Sequence, residues 1–207
     1  MAIEERYGQI IRAARDVFAR HGFHQASIRE IARVAGLSLA GLYHYTGGKQ
    51  ELLFLVLDRS LDSLIAALQD ALAAAETPEA RLLALIQTHL EFAFRNPAAL
   101  KIINRDFELL AEPERSQIAA RRREYLEHGL AILNDLDRDG RSHDELFSAT
   151  NLLLGMLNGI ATRPFVRSTH DARRLAEEVA RLFLYGFLAW PTDRRPAAAV
   201  AGGGHDG

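Results

Sequence analysis

Between Ile28 and Lys49 the chain reads IREIARVAGLSLAGLYHYTGGK, and its polar and small residues are spaced to meet a nucleic-acid groove. Arg29 falls in the first turn of one short apolar-faced segment, and Leu39, Ala40, Gly41 and His44 fall on the outward face of the next. A guanidinium in a first helical turn can reach a backbone phosphate; the alternative for Arg29 is an ion pair on the helix surface. Leu39 and Ala40 offer methyl groups to thymine, and His44 offers a donor to a purine N7 or to a phosphate. Arg, Asn and Gln, the usual bidentate readers of base edges, are absent from that face. Recognition there would lean on apolar contact, water and duplex shape. Elsewhere the chain shows no metal-ligand spacing and no nucleophile beside a base, so the sequence points away from an enzyme.

These residues need two short crossed helices to present them, and the spacing predicts a helix-turn-helix rather than an ordinary helical hairpin. Ile28, Ile31 and Ala32 share one face of the first helix, and Leu37 and Leu42 return to the same small core. Ala32 is small where the two backbones come close. Gly36 supplies the left-handed conformation that ends one helix. Ser38 caps the next with its hydroxyl, and that reader helix runs from about Leu39 to Tyr45. Ser27 with Glu30 reads as a capping box opening the helix before it. Ahead of both, Ile10, Ile11, Ala14, Val17 and Phe18 keep helical spacing from about Glu4 to His21, and Phe23 closes the cluster beyond Gly22.

After Gly47-Gly48 a long helix is expected from Lys49 to about Ala75, with Leu52, Leu53, Val56, Leu57, Leu61, Leu64, Ile65 and Leu68 as its buried stripe. Thr77-Pro78 and Asn96-Pro97 each read as a cap followed by proline in the first helical turn, opening a fifth helix to about Phe94 and a sixth to about Leu110. A seventh runs from Pro113 to about Leu136, an eighth from Asp144 to about Ala161, and a ninth from Asp171 to about Leu188. No segment alternates with a period of two, so the fold class is all-α with about nine helices. The expected division is a DNA-binding head over 1–50, a ligand-binding and dimerisation body over 51–191, and a disordered tail over 192–207.

The 207 residues suffice for a real core, and 48% hydrophobic with 25% charged residues is ordinary for a soluble domain. The sequence holds no membrane-span pattern, no apolar signal core in MAIEERYGQ and no cysteine, which together predict a cytoplasmic protein. The net charge of −2 is uneven. Residues 1–50 carry seven basic and four acidic side chains, or +3, and the remainder 18 basic and 23 acidic, or −5. A basic head on an acidic body orients a protein on a polyanion.

The run from Ile10 to Leu55 resembles the TetR family of bacterial transcriptional regulators. The likeness rests on Ala13-Ala14, Phe18, Gly22-Phe23, Ser27-Ile28, Ile31-Ala32, Ala35-Gly36-Leu37-Ser38, Leu42-Tyr43, Lys49 and Leu52. It implies a homodimeric repressor on a palindromic DNA operator, released by a small-molecule effector, with the last two helices forming a four-helix interface. It also implies phosphate contacts from Ser27, Tyr43 and Lys49; the alternatives are a core aromatic for Tyr43 and a solvated lysine for Lys49. The chain departs from the family at Thr46, where an aromatic is usual, and at the flexible Gly47-Gly48 that follows. A looser hinge behind the reader helix is the expected consequence.

In the body, His89 lies on the buried stripe of Leu82, Ile86, Leu90 and Ala93, as a satisfied core histidine or a ligand contact. Arg122 shares the apolar face of Ile118, Tyr125, Leu126, Gly129 and Leu133, facing either an ion partner or an anionic ligand. Asn104 sits beside Ile103 and Phe107, and Asn151 and Asn158 stack on one face of the eighth helix, at a pocket edge or the dimer seam. The segment Asn104 to Leu133 resembles family members whose effectors are acyl-CoA thioesters. That likeness implies ligand roles for Glu108, Arg121, Arg122, Arg123 and Tyr125, with arginines at the phosphates and the leucine-rich interior around the acyl chain. The alternative is a solvated basic stretch paired with Glu114, Glu124 and Glu127; a hydrophobic drug or aromatic acid is the second ligand class. No cofactor is expected beyond such an effector. Leu146, Leu153, Leu154 and Leu157 on the eighth helix, with Leu175, Val179, Leu182, Phe183, Gly186 and Phe187 on the ninth, predict the dimer surface. The competing class is a helical small-molecule-binding protein or multidrug-type sensor.

Overall fold

The computed structural model describes residues 2–161 and 168–189. Among them nine α-helices follow in order: α1 Ala2–Gln25, α2 Ile28–Val34, α3 Leu39–Tyr43, α4 Lys49–Ala73, α5 Pro78–Arg95, α6 Pro97–Arg105, α7 Glu114–Leu136, α8 His143–Ala161 and α9 Thr169–Leu182. A 3-10 turn, Phe107–Leu109, follows α6, and a π-type turn, Phe183–Phe187, ends α9. The tail expected over 192–207 lies outside the described residues.

The head is α1 to α3 with the first turns of α4. Gly22 interrupts α1 with φ 74° and ψ 161°, so the regular helix stops where the sequence predicts, and the turn beyond the kink carries buried Phe23 back against Phe18. Gly36 reverses the chain at φ 67°, and Ser38 Oγ accepts from the Gly41 amide at 3.0 Å, capping α3 as expected. Ile31, Ala32 and Leu42 are fully buried against Ile10, Ala14 and Phe18 of α1.

Two expected caps do not form. Ser27 stands at the start of α2 without a side-chain cap bond, and the Glu30 carboxylate that would complete the box lies instead near Arg20 and His21 of α1, at 3.8 and 3.3 Å. A charged partner across the helix pair outcompetes a local amide. Asn96 likewise does not cap α6; its Nδ2 donates back to the Phe92 carbonyl at 3.3 Å. Thr77 does cap α5, accepting from Ala80 N at 3.1 Å.

The body packs around α5, which touches α4, α6, α7, α8 and α9. The predicted stripe of α4 is buried in full. Gly129 marks the tightest approach: a β-carbon there would stand 3.0 Å from Thr150 Cγ2 of α8 and 3.5 Å from Leu85 Cδ1 of α5. Between α7 and α8, the buried Arg141 joins Asp137 and donates to the carbonyls of Phe187 and Leu188 at 3.2 Å, closing the open end of α9.

The outer surface departs from expectation. Leu146, Leu153 and Leu157 of α8 and Val179 and Phe183 near the end of α9 are spent inside the monomer. Among the described residues of α8 and the end of α9, the large apolar side chains left most exposed are Leu152, Leu182 and Tyr185, at 69%, 64% and 78%, followed by Phe147 at 44%. Both helices were rich enough in leucine for helical spacing to fit either face. Among the described residues, and apart from each glycine's own helix, no atom lies within 4 Å of where a β-carbon would stand on Gly155 or Gly186.

Candidate functional site

The outward face of the head carries Ser27, Arg29, Ser38, Ala40, Tyr43 and His44, all exposed, with Leu39 half-buried among them. Tyr43 is 51% exposed, so it is no core aromatic. Arg29 makes no ion pair with a described carboxylate, leaving its guanidinium on the surface. Lys49 is held inward: Nζ donates to the His24 and Ala26 carbonyls at 3.3 Å each and stands 4.5 Å from the centre of the Phe23 ring. It therefore bolts the start of α4 to the end of α1.

The hinge behind α3 is tied as well. Thr46 is buried, with its hydroxyl 3.2 Å from Glu51 Oε2 and 3.1 Å from the Gly48 carbonyl, so its single hydrogen can go to either, while the oxygen accepts from Gly48 N at 3.2 Å. Gly47 N donates to the same Glu51 carboxylate at 2.5 Å. Glu51 stands in the first turn of α4, where a carboxylate also suits the helix dipole. A hydrogen-bonded knot thus stands where the family's aromatic would pack.

In the body a cavity of about 580 Å³ opens between α4, α5, α6, α7 and α8. Leu61, Leu64, Leu100, Ile103, Leu130 and Leu154 give it an apolar wall. His89, Asn104, Arg122, Tyr125, Asn151 and Asn158, separated by up to 69 positions in the chain, all line it. Glu108 does not. It lies on the exposed 3-10 turn beyond α6 and acts on Arg122 only electrostatically.

The polar wall residues are paired. His89 Nδ1 is 3.1 Å from Tyr125 Oη, and Asn104 Nδ2 donates to Asn158 Oδ1 at 2.9 Å. His89 Nε2 is buried with no hydrogen-bond partner. Burial pushes His89 down to about 4; the nearby Asn158 amide opposes that shift without closing a bond to Nε2. Burial also pushes the Tyr125 phenol up, so both groups are neutral at pH 7. Arg122 donates to the Ile103 carbonyl at 2.8 Å and lies 4.8 Å over Phe107, with no described carboxylate within 4 Å. Its burial disfavours the charged form, opposed by Glu108. Arg121 is drawn off to Asp58 and Asp62 of α4. Of the three successive arginines, Arg122 and the exposed Arg123 remain at the cavity.

Helix α6 joins the two sites through side chains that the sequence analysis did not name. Leu100, Ile103 and Asn104 face the cavity. On the other side, Lys101 Nζ donates to the Ala19 carbonyl and Arg105 to the Phe18 carbonyl, each at 2.7 Å. Buried Asp106 fixes Arg105 by a two-pronged contact at 2.6 and 2.7 Å. These carbonyls sit in the last turn before the Gly22 kink, where helix acceptors need outside donors. The available signal was the cation pair Lys101 and Arg105, four apart on the polar side of α6. Gln50 of α4 adds a bond to the Leu109 carbonyl at 3.1 Å.

Among the described residues no cluster of His, Asp and Glu could hold a metal ion, and no helix is long and apolar enough to cross a membrane. Residues 10–56 match the family model for bacterial regulatory proteins of the tetR family, and residues 75–187 the tetracyclin repressor-like C-terminal domain. The transcriptional activator FasR of Mycolicibacterium smegmatis is 33% identical over 111 residues, 54% of this chain and half of that protein's length. A TetR-family regulator from Bordetella parapertussis 12822 superposes with a TM-score of 0.81 at 28% identity, over 89% of this chain and 96% of the other. AibR, solved with isovaleryl coenzyme A and operator DNA, shares the fold at TM-score 0.72 and 24% identity, over 86% and 97% of the two chains. With its helix-turn-helix head and helical C-terminal body, the chain belongs to the TetR family of transcriptional regulators.

Proposed function

We propose that the protein is a cytoplasmic operator-binding homodimer, not an enzyme, whose hold on DNA is released by an acyl-CoA thioester with its acyl part in the α4–α8 cavity. In this reading residues 1–50 form the DNA-binding head and 51–191 the sensing and dimerising body. Ser27, Arg29 and Tyr43 contact phosphates, and Lys49 reaches a phosphate with the one ammonium hydrogen not given to His24 and Ala26. Leu39, Ala40 and His44 meet base edges, with Ser38 holding α3 rigid beneath them. In the body, Arg122 and Arg123 meet the anionic end of the effector. His89, Asn104, Tyr125, Asn151 and Asn158 line its acyl part, and Glu108 balances the charge of Arg122 from outside.

The observation that carries the reading is α6, one helix with the cavity on one face and two clamps to the reader head on the other. An effector that displaces α6 must move α1, and with it α2 and α3. A coupling of about 1–3 kcal/mol changes operator affinity about 5–150-fold. AibR, the neighbour solved with both a CoA thioester and operator DNA, supports the same pairing of ligands. The test is selection of duplexes from a random pool, followed by titration of the selected sequence. Lys49→Ala should weaken binding evenly across sequences and flatten its salt dependence; a changed sequence preference instead would contradict the phosphate assignment.

A further inference from the structure

The cavity holds a polar group that the fold itself does not satisfy. His89 is 3% exposed, its Nδ1 is taken by Tyr125, and Nε2 on the other side of the ring meets no partner. A buried polar atom without a partner is costly, and a native fold that keeps one leaves room for a ligand to satisfy it. The polar groups around it are already paired. Tyr125 is buried beside His89, and the Asn104–Asn158 pair closes the same side of a cavity otherwise built of leucine and isoleucine. A plain alkyl chain would leave His89 Nε2 unmatched.

We infer that the cavity is built for an effector whose apolar part carries a neutral oxygen, a hydroxyl or a ketone, received by the His89–Tyr125 pair. The inference rests on the effector reading above and names the class of acyl group. Both anchoring groups are neutral, so they favour a neutral oxygen over a second carboxylate. The pair can serve either form of oxygen. With Tyr125 donating to Nδ1, Nε2 carries the proton and donates to a ketone; with the other tautomer, Nε2 accepts from a hydroxyl. Arg122 and Tyr125 are three residues apart on α7, about 4.5 Å along the axis, so the anion and oxygen contacts lie close together. For a free acid held by its carboxylate at Arg122, the oxygen therefore belongs near the carboxyl end of the chain.

The test compares ligands that differ by one hydroxyl. Dissociation constants are measured by calorimetry for 3-hydroxydecanoyl-CoA against decanoyl-CoA, and for 3-hydroxydecanoic acid against decanoic acid. The hydroxylated member of a pair should bind roughly 5- to 150-fold more tightly, the range expected for matching a buried orphan group. His89→Leu should erase that difference and Tyr125→Phe reduce it, each variant being checked for cooperative unfolding. Equal binding within both pairs would overturn the inference, since the thioester carbonyl or nothing at all would then meet the histidine. Discrimination that survives in His89→Leu would overturn it too. If only the free acids bind and discriminate, the oxygen anchor stands and the CoA reading falls. If neither pair binds, both fall.

Discussion

At the residue scale, His89 ties stability to pH. Its folded pKa of about 4 lies below the 6.5 of an ordinary imidazole, so between these values the unfolded chain holds a proton that the folded chain refuses. The contribution is whole above pH 6.5 and is lost as the pH falls toward 4, by on the order of 3 kcal/mol. Urea unfolding of wild type and His89→Leu at pH 7 and pH 4.5 should show wild type losing more stability than the variant on acidification. Parallel losses would mean the ring is not buried neutral. The sequence placed His89 on a buried stripe but could not distinguish a satisfied ring from an unsatisfied one. That depends on Tyr125 and Asn158, 36 and 69 positions away. Thr46 shows the same limit. Its loss of an aromatic was visible, while its contact with Glu51 depends on a hinge conformation that Gly47 and Gly48 alone do not determine.

At the scale of elements, α6 is the transmission piece, and its clamp can be cut without leaving a buried charge. Replacing Arg105 alone would strand the buried Asp106, so the informative variant is the double change Arg105→Gln with Asp106→Asn. Effector affinity should persist in it, while the effect of effector on operator affinity falls from the 5–150-fold range toward none. An undiminished effect would remove α6 from the mechanism. Gly129 tests the packing that frames the cavity. Gly129→Ala drives a methyl toward Thr150 Cγ2 at 3.0 Å and should cost about 1–3 kcal/mol in thermal unfolding. Most elements were legible because apolar spacing and glycine or proline punctuation agree, as at Gly36 and Thr77-Pro78. The reciprocal bond from Glu30 and the cap at Asn96 were misread because Arg20 and His21 take the Glu30 carboxylate and the Phe92 carbonyl takes the Asn96 amide.

At the scale of the molecule, Leu152 of α8 and Leu182 and Tyr185 at the end of α9 are exposed apolar side chains, and a homodimer through these two helices would bury them. Leu152→Glu with Leu182→Glu should yield a monomer by sedimentation and abolish operator binding, with the cavity still competent for effector. A dimer that persists would move the interface elsewhere. Which leucines face outward was not readable from spacing, since α8 is apolar on several faces and the monomer core takes Leu146, Leu153 and Leu157. The same account joins both ends of the protein through one helix, and one titration addresses it directly. A fluorescent duplex selected by the protein is followed by anisotropy at fixed salt while 3-hydroxydecanoyl-CoA is added. The account predicts two chains per half-site pair and a 5–150-fold fall in operator affinity as the cavity saturates; an affinity unchanged with the effector bound would contradict it.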